Sequence, residues 1–154
     1  EQLPTKERKD PVKAYQKRLL SNHARTRSHF GFEWCFFESS LCTVNPHFDK
    51  IHEELKKRPY VAFARIENHF MLYDCFLPKD HILNNAKKIA HIPISIIQGR
   101  QDMVCPARYG YLLHKNLPKA RFQLISCAGH TINDGGIEKT LLKEMKRMGS
   151  DINW

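Results

Sequence analysis

Two residues in the second half of this chain have the types and setting of a charge-handling pair. They are Asp102, in Gly99-Arg100-Gln101-Asp102, and His130, in Ala128-Gly129-His130-Thr131. A carboxylate held against an imidazole orients the ring and stabilises it once protonated. That is what a general base needs if it is to take a proton from a weak nucleophile such as a serine hydroxyl. Taken singly, each residue has an ordinary reading: an aspartate in a turn is usually a cap, and a histidine after Ala-Gly is usually a loop residue. In the first half, Glu67 lies within an apolar run, and Glu33 and Glu38 sit among the aromatics of Phe30, Phe32, Trp34, Phe36 and Phe37. A carboxylate embedded in that way is costly unless it has a partner.

What would bring Asp102 and His130 together is a repeated strand, loop and helix. Ile94-Ser95-Ile96-Ile97 has the composition of a strand buried on both faces of a parallel sheet, and Gly99 ends it. Pro106 suits a first helical turn, and the helix from Ala107 to Leu117 stops at Pro118. Arg121 to Cys127 reads as a second strand, and Ile137 to Met148 as the helix after its loop. A βαβα order makes the strands parallel neighbours with a right-handed crossover. Both loops then leave the carboxyl edge of one sheet, where α/β proteins place ligands and catalytic groups. The order aspartate, then histidine, matches the last two members of a Ser-Asp-His triad on an α/β-hydrolase.

The segment ahead of these strands reads as helical. The spans are Asp10 to Leu20, His23 to Leu41, Phe48 to Lys57, Tyr60 to Leu72 and Asp80 to Ala90, with breaks at Ser21-Asn22, Asn45-Pro46 and Pro78. The aromatic second helix is either a core-facing helix over something large or the wall of an apolar pocket with one carboxylate aimed into it. In the fourth, Phe63, Ile66 and Phe70 share a face, with Glu67 one turn on from Phe63. The expected organisation is a helical cap over residues 1–76 and a βαβα part of a hydrolase core over residues 77–154.

Composition excludes several classes. The net charge of +9 raises nucleic acid as a partner. The basic residues are nevertheless spread over several helices with acids among them, and no aromatic-interleaved basic stripe or nucleic-acid module is present. No secretory leader or membrane-spanning run is visible, so no membrane association is expected. The five cysteines, Cys35, Cys42, Cys75, Cys105 and Cys127, are odd in number and contain no C-x-x-C pair, which suits a reducing cytoplasm and no disulfide framework. Cys42, His47 and His52 are close in sequence but match no metal-ligand spacing, and no cofactor motif appears.

Four motifs carry a resemblance to a known family. Trp34-Cys35-Phe36-Phe37-Glu38 is similar to Trp-x-x-Trp-Glu, and Ala64-Arg65-Ile66-Glu67-Asn68-His69-Phe70 to Ala-Arg-Ile-Glu-Asn-His-Tyr. Gln98-Gly99-Arg100-Gln101-Asp102-Met103-Val104-Cys105-Pro106 is similar to His-Gly-Arg-Tyr-Asp-x-x-Cys-Pro, and Ala128-Gly129-His130-Thr131 to Ala-Gly-His-Ser. These are motifs of the prolyl aminopeptidases (proline iminopeptidases), serine exopeptidases of α/β-hydrolase fold with a helical cap, and the chain resembles their C-terminal half. The resemblance implies Asp102 and His130 as catalytic residues, and Glu38 and Glu67 as the carboxylates that grip the charged N-terminal imino group. Aromatics near Glu38 would then shape the proline pocket, and Cys105 would confer sensitivity to thiol reagents. The implied substrates are peptides with N-terminal proline, and no cofactor is implied.

The chain departs from the family pattern at Phe37, Gln101 and Phe70, and at Asn133-Asp134-Gly135-Gly136-Ile137, where the family tends to have x-Glu-Pro-Gly-Ile. The larger departure is the nucleophile. None of Ser21, Ser28, Ser39, Ser40, Ser95, Ser126 and Ser150 lies in a Gly-x-Ser-x-Gly elbow. The chain is therefore expected to need an N-terminal hydrolase half as its partner and to be inactive alone. The alternatives are a non-catalytic, truncated remnant that binds a partner through an open sheet edge, and a related hydrolase acting on another small ester or amide.

Overall fold

The computed structural model describes residues 3–151, and the chain divides into two units. One runs up to Ser40 and resumes over His47–Lys79; the other comprises Leu41–Pro46 and the chain from Asp80 onward.

The first unit is built on α1 (Pro11–Leu19), α2 (Ala24–Leu41), α3 (Phe48–Leu55) and α4 (Tyr60–Leu72). Asp10 caps α1 by accepting from the Lys13 N–H at 3.1 Å, and Pro11 opens the helix where its missing N–H costs nothing. Leu19, Cys35, Leu55 and Ala64 form the buried core. Tyr15, Phe30, Phe32, Trp34, Phe36, Ile51 and Tyr60 pack around it, so most aromatics of α2 are core rather than surface. Phe37 is the exception, at 67 % exposed.

The apolar face expected on α4 is not the buried one. Phe63, Ile66 and Phe70 are exposed, whereas Ala64 and Asn68 are buried. Close packing selects the small side chain and the one polar group that can be satisfied: Asn68 Nδ2 donates to the Val12 carbonyl of α1 at 2.8 Å. After α4, Asp74, Cys75 and Phe76 are consecutively left-handed, with φ of 49°, 54° and 57°. Each such non-glycine residue costs roughly 1–2 kcal/mol. Offsetting this, Phe76 stacks on Tyr73 at 5.6 Å, meets Phe70 edge-on at 5.4 Å, and donates its N–H to the Tyr73 carbonyl at 2.8 Å.

The second unit contains the parallel pair β1 (Ser95–Gly99) and β2 (Arg121–Ile125), in register from Ser95 opposite Arg121 to Gly99 opposite Ile125. α5 (His81–Asn85) precedes β1, α6 (Ala107–Asn116) connects the strands, and α7 (Ile137–Asp151) follows. The helix expected over Asp80 to Ala90 is divided: α5 gives way to a 3₁₀ turn over Ala86–Ile89. β2 ends at Ile125 rather than Cys127, because Cys127 is left-handed at φ 53° and cannot extend the strand. β1 is not buried on both faces as its composition suggested; apart from Gly99, the residues of both strands are half-buried or exposed. A two-stranded sheet is all edge, so the described elements cover each strand only in part.

α7 is fastened beneath the start of the strands by Glu144, which is buried. Its Oε2 accepts from Ser95 Oγ at 2.9 Å and from Arg147 Nε at 3.0 Å, and pairs with Arg121 Nε at 3.3 Å. Burial works to raise this carboxyl, but these donors hold it below the usual carboxylate range.

Candidate active site

In the second unit, Asp102 and His130 meet. Asp102 follows β1 and His130 follows β2, and parallel register brings both to the carboxyl edge of the sheet. His130 Nδ1 lies 3.0 Å from Asp102 Oδ2. The Asp102 side chain is 5 % exposed and His130 41 % exposed, so the acid is sequestered while the ring reaches solvent. An ionised carboxylate can only accept, so Nδ1 carries the proton and the Nε2 lone pair is left to act as a base.

Three further donors fix Asp102. Val104 N–H and Cys105 N–H donate to Oδ1 at 3.0 and 2.7 Å, and Gln98 Nε2 donates to Oδ2 at 3.1 Å. Gln98 also holds the Cys105 carbonyl at 3.1 Å, closing the loop around the carboxylate. The two loops are laced together by Gln101. Its N–H donates to the Ala128 carbonyl at 2.9 Å, and its Oε1 accepts the Ala128 N–H at 3.2 Å. Gly99 is required at this crossing, because a Cβ there would overlap the Gly129 carbonyl. Gln98 and Gln101 stand where the family motif has His and Tyr, and both do positional work here that sequence reasoning did not foresee.

Cys105 is exposed, and its thiol is pushed up first by local burial and then by the charge of Asp102. That lowers the thiolate fraction a thiol reagent would attack.

Sequence reasoning gave no role to Asp134. Asp134 accepts from Thr43 Oγ1 at 2.7 Å, the Val44 N–H at 2.9 Å and the Gly129 N–H at 3.1 Å. Partial burial works to raise its carboxyl, and these donors hold it below the usual range. An Asn-Asp-Gly-Gly stretch is a turn by composition, which hid this role.

In the first unit, Glu38 and Glu67 meet. α2 and α4 each contribute one, both half-buried. Glu67 Oε2 accepts from Trp34 Nε1 at 2.7 Å. Glu38 is pushed up to about 8, first by burial, then by its hydrogen bond to Glu67 and by the Glu67 charge. Two acids so close cannot both ionise cheaply near neutrality, so the pair retains one proton and carries one negative charge. Such a pair offers acceptors on both members to a cationic N–H donor. A separate groove of about 390 Å³ between α1 and α4, lined in part by Leu20, Ile66 and Phe70, contains neither glutamate.

The geometry thus defines an α/β protein with an acid–imidazole pair at a parallel sheet edge and an acid–acid pair in a helical unit. No family model matches the chain. It is 35% identical over 138 residues to a proline iminopeptidase of Arabidopsis thaliana, covering 89% of this chain and 36% of that protein. It is 36% identical over 150 residues to a probable proline iminopeptidase of Leptolyngbya boryana, covering 96% and 46% respectively. A proline iminopeptidase of Xanthomonas citri is 37% identical over 132 residues, or 84% of this chain and 42% of that protein. The resemblance to the proline iminopeptidases therefore holds along nearly the whole chain, and the chain spans less than half the length of these curated relatives.

Proposed function

We propose that this chain carries the cap carboxylates and the acid–base half of a prolyl aminopeptidase, an α/β-hydrolase that releases N-terminal proline from peptides, with residues 1–76 as cap and 77–154 as core. The observation that carries the reading is the 3.0 Å contact of His130 Nδ1 with the buried Asp102 carboxylate. In this mechanism His130 Nε2 takes the proton from a serine hydroxyl as the oxygen attacks the prolyl carbonyl. Asp102 stabilises the imidazolium that forms. The imidazolium then protonates the leaving amine, and the acyl-enzyme is hydrolysed by a water activated through the same ring. Glu38 and Glu67 bind the secondary ammonium group of the substrate, whose two N–H bonds match two carboxylates. Binding releases the proton they share to solvent.

The serine stands outside this sequence in this reading, since no Gly-x-Ser-x-Gly occurs in it. The chain alone is expected to leave a proline arylamide intact, because loss of a triad nucleophile removes most of the catalysis. The test is a chimaera in which this chain replaces the matched region of the Xanthomonas citri relative. It should cleave a proline arylamide with a free imino group, spare the N-acetylated one, and lose turnover on His130→Ala. A folded chimaera without turnover would sink the proposal. The five cysteines are odd in number and contain no C-x-x-C pair, which supports a reducing, cytoplasmic setting.

A further inference from the structure

The backbone around His130 is held in an unusual way. Three consecutive N–H groups, those of Gly129, His130 and Thr131, all find acceptors outside regular secondary structure. The Gly129 N–H goes to Asp134 Oδ2 at 3.1 Å, while those of His130 and Thr131 both go to the Cys42 carbonyl, at 2.8 and 2.9 Å. Cys42 lies in residues 41–46, more than eighty positions away in sequence but within the same unit. The segment is fastened in turn by Asp134, whose carboxylate takes Thr43 Oγ1 on one oxygen and the Val44 N–H on the other. Asp134 Oδ2 therefore joins the His130 loop and the 41–46 strap through one atom.

The surrounding turn is shaped for this. Gly135 is left-handed at φ 53°, and a Cβ there would press on the Cys127 carbonyl at 2.5 Å, so the chain can bend back beneath Cys127-Ala128 only with glycine. The Asp134 N–H donates to the Thr131 carbonyl at 3.1 Å, and the Asp134 carbonyl accepts the Ile137 N–H at 2.9 Å, which ties the turn to the start of α7.

We propose that Asp134 is a positioning residue for His130: by clamping residues 41–46 to the Gly129 N–H, it fixes the backbone from which the imidazole reaches Asp102. The ring itself is half exposed and has Asp102 as its one described side-chain partner, so its aim depends on the backbone beneath it. The functional weight of this clamp rests on the reading of His130 as a general base; the clamp itself does not.

The experiment uses the chain as it is, without substrate, and reads His130 by NMR through the hydrogen-bonded Nδ1 proton and its exchange with water. Asp134→Ala should speed that exchange about tenfold, the loss expected when charge-assisted hydrogen bonds that order a loop are removed. Asp134→Asn retains an oxygen able to take both backbone N–H groups and should restore slow exchange to within about twofold. Thr43→Val removes one contact from an otherwise intact loop and should speed amide exchange at Gly129 and His130. Unchanged His130 exchange in a folded Asp134→Ala protein would overturn the proposal. If Asp134→Ala does not fold, unaltered amide exchange in Thr43→Val would overturn it instead. Equal losses in the Asn and Ala variants would overturn it as well, because the hydrogen-bond geometry would then not be what matters. Absence of turnover in the chimaera described above would defeat the peptidase reading while leaving these measurements unaffected.

Discussion

At the scale of single residues, the two acid-containing pairs are opposites. Asp102 is surrounded by donors from Val104, Cys105, Gln98 and His130, so every polar neighbour offers its carboxylate a hydrogen bond. Glu38 faces another carboxylate and is pushed up to about 8. This difference gives a pH signature. The native state keeps a proton on Glu38 that the unfolded chain releases near the ordinary value of 4.5, so native stability falls as pH rises from about 4.5 to about 8. Glu38→Gln should flatten that slope and raise stability at pH 8 by roughly 1 kcal/mol, well under the full shift because the site is partly open to water. Thermal unfolding of both proteins at pH 5 and pH 8 checks it; parallel curves would show that the two glutamates do not share a proton.

At the scale of elements, small residues decide what can touch. Gly99 ends β1 where the His130 loop crosses over it, and Gly99→Ala forces a Cβ into the Gly129 carbonyl. The expected cost is about 3 kcal/mol, at the upper end for overpacking, together with loss of the low-field His130 Nδ1 proton. Denaturant melts and a one-dimensional proton spectrum measure both. In the helical unit, Asn68 joins α4 to α1 through the Val12 carbonyl and is almost wholly buried. Asn68→Ala should destabilise by about 1–3 kcal/mol, combining a lost hydrogen bond with a small cavity. An unchanged midpoint in urea would mean that helix packing, rather than this amide, sets the α1–α4 contact.

At the scale of the whole molecule, the described chain leaves much apolar surface uncovered. Phe63, Ile66, Phe70 and Phe76 in the helical unit are all exposed, as are Tyr109, Tyr111 and Leu112 in the second. β1 and β2 form a sheet of two strands, each with a free edge among the described residues. Exposed sheet edges and contiguous apolar patches favour association. The purified chain should therefore elute with a concentration-dependent apparent mass, whereas in the chimaera with the Xanthomonas citri relative the dependence should be reduced. A concentration-independent monomer would argue that the chain is self-sufficient. Association of the isolated chain also fits the reading of a partner-binding remnant; turnover by the chimaera separates the two.

Much of this was legible from local signals. Helix α4 was legible as an apolar run from Tyr60 to Leu72, and β1 from its β-branched residues and Gly99; both were readable because propensity and periodicity act over a few residues. The meeting of Asp102 with His130 was legible too, since two equivalent loops of a βαβα repeat must leave the same sheet edge. What only the tertiary structure decided was which side chains oppose one another across long separations. It turned Phe63, Ile66 and Phe70 outward in favour of Ala64 and Asn68, and brought Asp134 to Thr43 and Val44 from ninety residues away. Such choices depend on close packing and on satisfying each buried polar group, and neither leaves a period in the sequence.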